Sequence, residues 1–362
     1  MPRPAKYTAV ADALRQQIDA GRFAAGELLP TEQELAGQYG ISRLTLRKAL
    51  AQLEAEELVV RRSGAGTVVR HDLVPAAAGQ VLYVGQTQDH YFTKLYEALC
   101  SEARSRGFTV GSLDADAAAR RRDVLQRSRR LVCVEDAWPR IEPLVAADAH
   151  VTCIGGFYGI SRPGELGRAM YVVSSDTYRA IGLAVDHLVS LGHRRIALVD
   201  HAHHPGPTPW RGRIHPRRST YLGYCSALLK AGIRDERVIG VPTFEVGSRD
   251  WQIECLRHYL AEVANAPTAF VCAQDFQAGA LLRALKEEGY RVPADASVVG
   301  LGDTPWTEWL APPLTSVRLG EAEMARLALI LTQEPVPDAV RLVRIEPEVV
   351  VRHSCGPPPA EE

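Results

Sequence analysis

Thr31-Glu-Gln-Glu-Leu-Ala-Gly-Gln-Tyr-Gly-Ile-Ser-Arg-Leu-Thr-Leu-Arg-Lys48 decides how the N-terminal part of the chain folds. Thr31 follows Pro30 and stands three residues before Glu34, the spacing of a capping box, so a helix starts there. Gly40 stops that helix after Tyr39, because glycine takes the left-handed turn at a helix end without steric cost. Ser42 caps a longer helix whose Leu46, Leu50 and Leu53 recur at helical spacing. Leu44 is expected to face inward with Leu46 and Leu50.

Upstream, Val10, Leu14 and Ile18 mark an earlier helix that Gly21 ends. Downstream, Leu58-Val-Val60 and Thr67-Val-Val69 are short strands around the glycine-rich tip Ser63-Gly-Ala-Gly66. Three helices and a hairpin over residues 1–72 form a small winged helix-turn-helix. Residues 73–80, Leu73-Val-Pro-Ala-Ala-Ala-Gly-Gln80, are small, Pro- and Gly-containing, and read as a linker.

From Val81 the pattern changes. Apolar runs at Val81–Val84, Leu131–Val134, Val151–Ile154, Ile196–Val199, Ala269–Cys272 and Ser297–Val299 read as strands. Helical segments at 92–106, 177–191, 219–231 and 276–289 alternate with them. That alternation predicts an α/β domain over 81–355 with parallel sheets and helices on both faces. The tail 356–362 is Pro-rich and acidic and is expected to be disordered.

Composition narrows the function. A chain of 362 residues holds two or three domains at roughly 100–200 residues each. With a formal net charge of -1, nucleic-acid binding has to come from a local patch. Through residue 71 there are ten Lys and Arg against eight Asp and Glu, a balance of +2. The seven Cys include no C-x-x-C pair and sit mostly in apolar runs, which suits free thiols in a reducing compartment. Residues 1–7 lack an apolar signal core, and no apolar run reaches membrane-spanning length, so a soluble, cytoplasmic protein with no membrane partner is expected.

A helix-turn-helix sets its second helix in the major groove. Here that helix begins with Ser42, Arg43, Thr45, Arg47 and Lys48. A capped helix N-terminus suits phosphate, and an Arg fork suits guanine or phosphate. The wing adds Arg61, Arg62, Gly64, Gly66 and Thr67, glycines letting backbone N–H groups approach phosphate. The alternative for any one of these side chains is a solvated helix face.

The same stretch resembles the GntR-family winged helix. The matching residues are Gly21-Arg-Phe23, Gly26, Leu28-Leu-Pro-Thr31, Glu34-Leu-Ala36, Tyr39-Gly-Ile-Ser-Arg43, Thr45-Leu-Arg47, Ala49-Leu50, Leu53 and Gly64-Ala-Gly-Thr67. The resemblance places Arg43, Arg47 and Gly64 at DNA; Thr31, at the start of the preceding helix, is a further DNA-binding candidate. Gln33 departs from it, standing where some members carry a basic residue.

Residues after 80 resemble the LacI/GalR effector domain, which is similar to type I periplasmic sugar-binding proteins. Val173-Ser-Ser-Asp176, Leu191-Gly-His-Arg-Arg-Ile-Ala197, Ala273-Gln-Asp275, Ser297-Val-Val-Gly300, Gly302-Asp303 and Pro312-Pro-Leu-Thr-Ser-Val317 carry the likeness. It implies two Rossmann-like lobes with the effector between them at the strand C-terminal edges: an N-lobe of 81–173 and 305–331, and a C-lobe of 174–302 and 335–352. The whole layout is similar to arabinose-type repressors. Such a protein binds palindromic double-stranded operator DNA as a homodimer and responds to a small molecule, expected to be a carbohydrate.

A polyol needs carboxylates and amides for its hydroxyls and an aromatic face for its C–H side. Asp89, Tyr91, Asp176, Arg218, Gln274, Asp303 and Trp306 are the candidates. The competing role for each is a cap, hinge or interface residue. Two departures bear on the ligand. Thr220 stands where sugar-responsive members carry Arg, leaving Arg218 as a substitute. The segment 201–216, with His201, His203, His204 and His215, is enlarged; a lid over the cleft or a metal-binding His cluster are alternatives, and a solvent-exposed loop is the better reading. Residues 70–80 lack the minor-groove hinge helix of LacI relatives.

Two rival classes are weaker. A pyridoxal-phosphate fusion enzyme needs a Schiff-base Lys, and after residue 80 only Lys94, Lys230 and Lys286 occur, all in amphipathic helices. No nucleophile elbow or P-loop occurs, and Glu135/Asp136 and Glu287/Glu288 read as surface charge. No catalytic residue, metal or cofactor is expected. An exported solute-binding protein needs a signal peptide and no DNA-binding head.

Overall fold

The structure, a computed structural model, describes residues 6–19, 22–23, 27–55, 58–62, 66–69, 80–86, 90–155, 166–202, 219–241, 249–263 and 265–360. The head contains α1 (Lys6–Asp19), α2 (Glu32–Tyr39), α3 (Arg43–Ala55), β1 (Val59–Arg62) and β2 (Gly66–Val69). Leu14 and Ile18 of α1, Leu35 of α2, Leu46, Leu50 and Leu53 of α3, and Leu58 close one core.

Local chemistry sets the helix ends. The Glu34 N–H donates to Thr31 Oγ1 at 3.3 Å, and the Thr31 N–H donates to Glu34 Oε2 at 2.8 Å. These bonds from Thr31 hold the Glu34 carboxyl below the usual carboxylate range. Gly40 closes α2 at φ 61°. Ser42 Oγ accepts from the Thr45 N–H at 3.1 Å and starts α3. β1 and β2 pair antiparallel, and the Leu29 N–H donates to the Thr67 carbonyl at 2.8 Å, tying the segment before α2 to the wing.

Beyond the head the order is β3 (Gln80–Val84), α4 (His90–Ser105), β4 (Thr109–Leu113), α5 (Ala115–Arg120), α6 (Arg122–Arg127), β5 (Arg130–Val134), α7 (Trp138–Ile141), β6 (His150–Ile154), β7 (Tyr171–Ser175) and α8 (Thr177–Ser190). Then come β8 (Ile196–His201), α9 (Ser219–Lys230), β9 (Arg237–Val241), α10 (Arg249–Glu262), β10 (Ala269–Cys272), α11 (Asp275–Glu287), β11 (Ser297–Leu301), β12 (Thr315–Arg318), α12 (Glu321–Leu331), β13 (Arg341–Ile345) and β14 (Glu348–Val350). Every strand anticipated from the apolar runs is present. Strands with fewer apolar residues, such as β4 (Thr-Val-Gly-Ser-Leu), were not anticipated.

Two six-stranded sheets form, ordered β13-β7-β6-β5-β3-β4 and β14-β12-β11-β10-β8-β9. Strands β3 to β7 pair parallel in the first sheet, and β8 to β12 pair parallel in the second. In each, the first strand is flanked by the second on one side and the third on the other. The chain order therefore reverses between β3 and β5, and again between β8 and β10.

The chain divides into two compact units. The first holds residues up to Ile154, β7 as far as Val173, and Ala325–Leu342; the second holds Ser174–Met324 and Val343 onward. The expected return to the first lobe at residue 305 does not occur. β12 zips parallel onto β11, Val299 opposite Thr315, and keeps the chain in the second unit until α12. Residues 335–342, expected in the second lobe, belong to the first, where the Arg341 N–H donates to the Met170 carbonyl at 2.9 Å. Among the described residues no helix is long and apolar enough to cross a membrane.

The tail also departs from expectation at its start. His193 is fully buried in the second unit. Its Nε2 lies 2.9 Å from the Gly356 carbonyl and 3.0 Å from Ser297 Oγ, and its Nδ1 lies 2.9 Å from Thr268 Oγ1. The Gly356 N–H donates to Ser297 Oγ at 3.0 Å. Gly356 is thus anchored by a histidine far upstream, a contact that tail composition does not reveal.

Burial pushes the His193 imidazole below its ordinary value of 6.5; nearby His187 adds to the shift and the Gly356 bond opposes it. Below that value the unfolded chain binds the proton more readily than the native one, so native stability is full above pH 6.5 and is lost as pH falls toward the lowered value. Thermal unfolding between pH 7.5 and 5.5 should show a steeper loss for the wild type than for His193→Gln. Equal slopes would refute the assignment.

Candidate functional site

The DNA-facing candidates come together on α2, α3 and the wing. Arg43 Nη2 donates to Gln33 Oε1 at 2.5 Å, and Arg47 Nε donates to Glu32 Oε2 at 2.8 Å. Arg61 Nη2 donates to the Arg47 carbonyl at 2.8 Å, and Arg61 pairs with Glu54 at 3.5 Å. One polar network therefore stitches the second helix to the first and to the wing. Surface pairs of this kind are worth about 0–1 kcal/mol, little enough for a phosphate to displace Glu32 from Arg47. Gln33, the departure from the family pattern, orients the Arg43 guanidinium.

Ser42, Arg43, Arg47, Lys48 and Arg61 are exposed, and Thr31 and Ser42 serve as helix caps. Thr45 Oγ1 lies 2.8 Å from Ser42 Oγ, so part of its hydrogen-bonding capacity is used locally. Gly66 stands at φ 97° opposite Arg62, and Thr67 is half-buried on β2. Gly64 lies outside the described residues. One expectation fails: Leu44 is 68% exposed and does not share the inward face of Leu46 and Leu50. The helical phase set by Leu46, Ala49, Leu50 and Leu53 turns it outward.

In the second unit the strand-order reversal between β8 and β10 gathers polar groups at the C-terminal strand edge, where open α/β sheets bind ligands. His201 ends β8, and its Nε2 lies 2.8 Å from Oε1 of Gln274, the residue before α11. Asp200, fully buried, accepts from Thr220 Oγ1 at 2.6 Å and from the His201 N–H at 2.7 Å. Thr220 is therefore committed to a buried carboxylate. Sequence reasoning passed over Asp200 and read His201 as part of an exposed loop. Their position at the end of an apolar strand that opens a long connection was the available signal.

Asp303 and its neighbours form a second cluster. Asp303, at φ 47°, is held by Arg318 at 2.7 Å and Arg352 at 2.7 Å. Asp275 is buried and accepts from the Thr304 N–H at 2.7 Å, Thr304 Oγ1 at 2.8 Å and Ser316 Oγ at 2.5 Å. Burial pushes its carboxyl up, against the pull of these bonds. The Asp275 carboxylate fills the space beside Gly300, where a Cβ would lie 2.3 Å from Oδ1. Asp275 thereby shapes the loop after β11, and Asp303 is a charge-paired support in it.

The remaining candidates separate. Asp176 caps α8, accepting from the Arg179 N–H at 3.0 Å, with Arg344 3.6 Å away. Trp306 is half-buried, and its ring lies 3.5 Å from where a Cβ on Gly279 would stand, so it covers α11. Asp89, Arg218, His203, His204, His215 and the linker residues 73–79 lie outside the described residues. Tyr91 is in α4.

In the first unit the reversal between β3 and β5 carries Gly85 and Glu135. Gly85 has no room for a Cβ, which would lie 2.7 Å from Tyr83 Oη. Glu135 is buried whereas Asp136 is exposed, so only the second member of this pair is surface charge. The pair Glu287/Glu288 is: Arg257 lies 3.4 Å and 2.7 Å from them. Lys230 pairs with Asp186 at 3.0 Å on the surface.

Comparison with known proteins agrees with both halves. Residues 6–69 match "Bacterial regulatory proteins, gntR family", and residues 185–355 match "Periplasmic binding protein-like domain". The chain is 26% identical to an arabinose metabolism transcriptional repressor of Geobacillus stearothermophilus, over 96% of this chain and 97% of that one. It is 32% identical to the regulator MalR of Streptomyces coelicolor, over 52% of this chain and 53% of the relative. The fold matches a LacI transcriptional regulator from a Rhodococcus species with a TM-score of 0.59 and 25% identity, over 77% of this chain and 98% of the other.

If Asp303 is a support, Asp303→Ala leaves the largely buried Arg352 with only the Leu314 carbonyl and the exposed Glu308 as partners and should cost roughly 2–3 kcal/mol, discounted because Arg318 is half exposed. Urea unfolding measures this. An unchanged midpoint would return Asp303 to the pool of ligand-contact residues.

Proposed function

We propose that this chain, a GntR-type winged helix joined to a periplasmic-binding-protein-like sensor, is a transcriptional repressor whose hold on its operator is set by a small carbohydrate. It acts in the cytoplasm as a homodimer on a palindromic duplex. With only +2 in the head, one copy has few phosphate contacts to offer, and two heads on a two-fold site multiply them.

The network that carries the DNA reading runs from Glu32 and Gln33 through Arg47 and Arg43 to Arg61. It pre-positions two guanidinium forks on the exposed side of α3, next to a capped N-terminus. Arg43 and Arg47 take base edges or phosphates, Lys48 and the wing arginines take phosphates, and the wing glycines let backbone approach DNA.

The effector reading is carried by His201 and Gln274 at the β8/β10 reversal. An imidazole and an amide offer both donors and acceptors, the pairing that sugar hydroxyls use. Thr220 supplies no cation there, so the ligand is a neutral polyol before it is an acid; Arg218 would change that balance. Asp176, Trp306, Tyr91 and Asp89 are second-order candidates. The effector binds one conformational state better than the other, and DNA and effector affinities are therefore coupled reciprocally. Release of DNA on effector binding is the outcome we expect.

A duplex selected from a random pool by the full chain should lose at least about 30-fold in affinity with the Arg43→Ala/Arg47→Ala double variant, at roughly 1–3 kcal/mol per lost fork. Normal binding would overturn the DNA assignment. A thermal-shift panel of pentoses, hexoses and disaccharides should raise the melting temperature of the wild type with one class of sugar. Gln274→Ala should lose that shift while keeping its own unfolding temperature; a retained shift would remove Gln274 from the site.

A further inference from the structure

We propose that Leu44 reads sequence, by packing against the C5 methyl of a thymine in the major groove. This inference rests on the DNA-binding reading above and adds a specificity residue to it.

The leucines of α3 are not equivalent. Leu46, Leu50 and Leu53 are buried with Ala49, each at 1% exposure or less, whereas Leu44 is 68% exposed. At about 100° per residue, Leu44 points roughly opposite the midpoint of that buried set. Its neighbours on the outward face are Arg47, Lys48 and Ala51, all exposed. Leu44 also belongs to the first turn after the Ser42 cap, and the first turn of a recognition helix reaches base edges.

Single exposed leucines are ordinary on protein surfaces, and Leu28 and Leu229 are examples here. Leu44 differs in its company. The cationic side chains beside it select a polyanionic partner, which an apolar protein surface is not. A leucine side chain has no donor or acceptor, so it is blind to the polar code of the base edges. The apolar feature the major groove presents is the thymine methyl. An arginine or serine at this position would read a different base.

The test uses the full chain and a duplex that it selects from a random pool. Each thymine is replaced singly by deoxyuridine, which removes only the methyl group. The wild type should lose roughly three- to fivefold in affinity at one thymine per half-site, the loss expected for one methyl contact. Leu44→Ala should bind the same duplex more weakly and be indifferent to that replacement. Leu44→Met, which keeps an apolar tip, should retain the sensitivity. Both variants should melt with the wild type, because the side chain is exposed. Uracil indifference in the wild type, or an equal loss in Leu44→Ala, would overturn the role of Leu44 and leave the DNA-binding reading standing. Failure to enrich any duplex would overturn that reading, and the proposal with it.

Discussion

Parallel pairing of strands β3–β7 and β8–β12 is the constraint on which the α/β half depends. Parallel neighbours cannot be joined by tight turns, so the chain must cross back over the sheet between strands, and α-helices do so between β3 and β6 and between β8 and β11. All C-terminal strand ends then fall on one edge. Where the strand order reverses, the crossovers leave in opposite directions and open a gap at that edge. Backbone direction alone thus brings His201, at the end of β8, beside Gln274, which follows β10. The same rule places Glu135 at the reversal in the first unit.

The buried polar groups around this edge stabilise the loops that follow the strands. Asp200 is satisfied by Thr220, Asp275 by Thr304 and Ser316, and Asp303 by Arg318 and Arg352. An unpaired buried carboxylate is costly, so each has acquired partners within the fold. A carboxylate in the right sequence position is therefore weak evidence for ligand contact. His201 and Gln274 make the better case, since an imidazole and an amide meet at the strand-order reversal and together offer donors and acceptors.

In the head, one helix does two jobs with opposite faces. Leu46, Ala49, Leu50 and Leu53 hold α3 against α1 and α2, and the helical repeat then obliges Leu44, Arg47 and Lys48 to face out. The contacts of Arg43 with Gln33 and of Arg61 with the Arg47 carbonyl limit the freedom of these long side chains. On the proposed DNA-binding role, ordering them in advance reduces the entropy lost on binding.

The sequence by itself determined what is local. The capping box at Thr31, the glycine stop at Gly40, the apolar runs that became β3, β5, β6, β8, β10 and β11, and the basic residues of the second helix were all legible, because each depends on neighbours a few residues away. Tertiary structure decided what depends on distant partners. Leu44 faces outward because the buried set on α3 has one phase. Residues 305–324 stay in the second unit because β12 pairs with β11. Asp303 is neutralised by arginines 15 and 49 residues further along the chain. Gly356 is held by His193, a separation of 163 residues. No short-range pattern encodes such contacts, since their energy exists only once burial has removed the competing water.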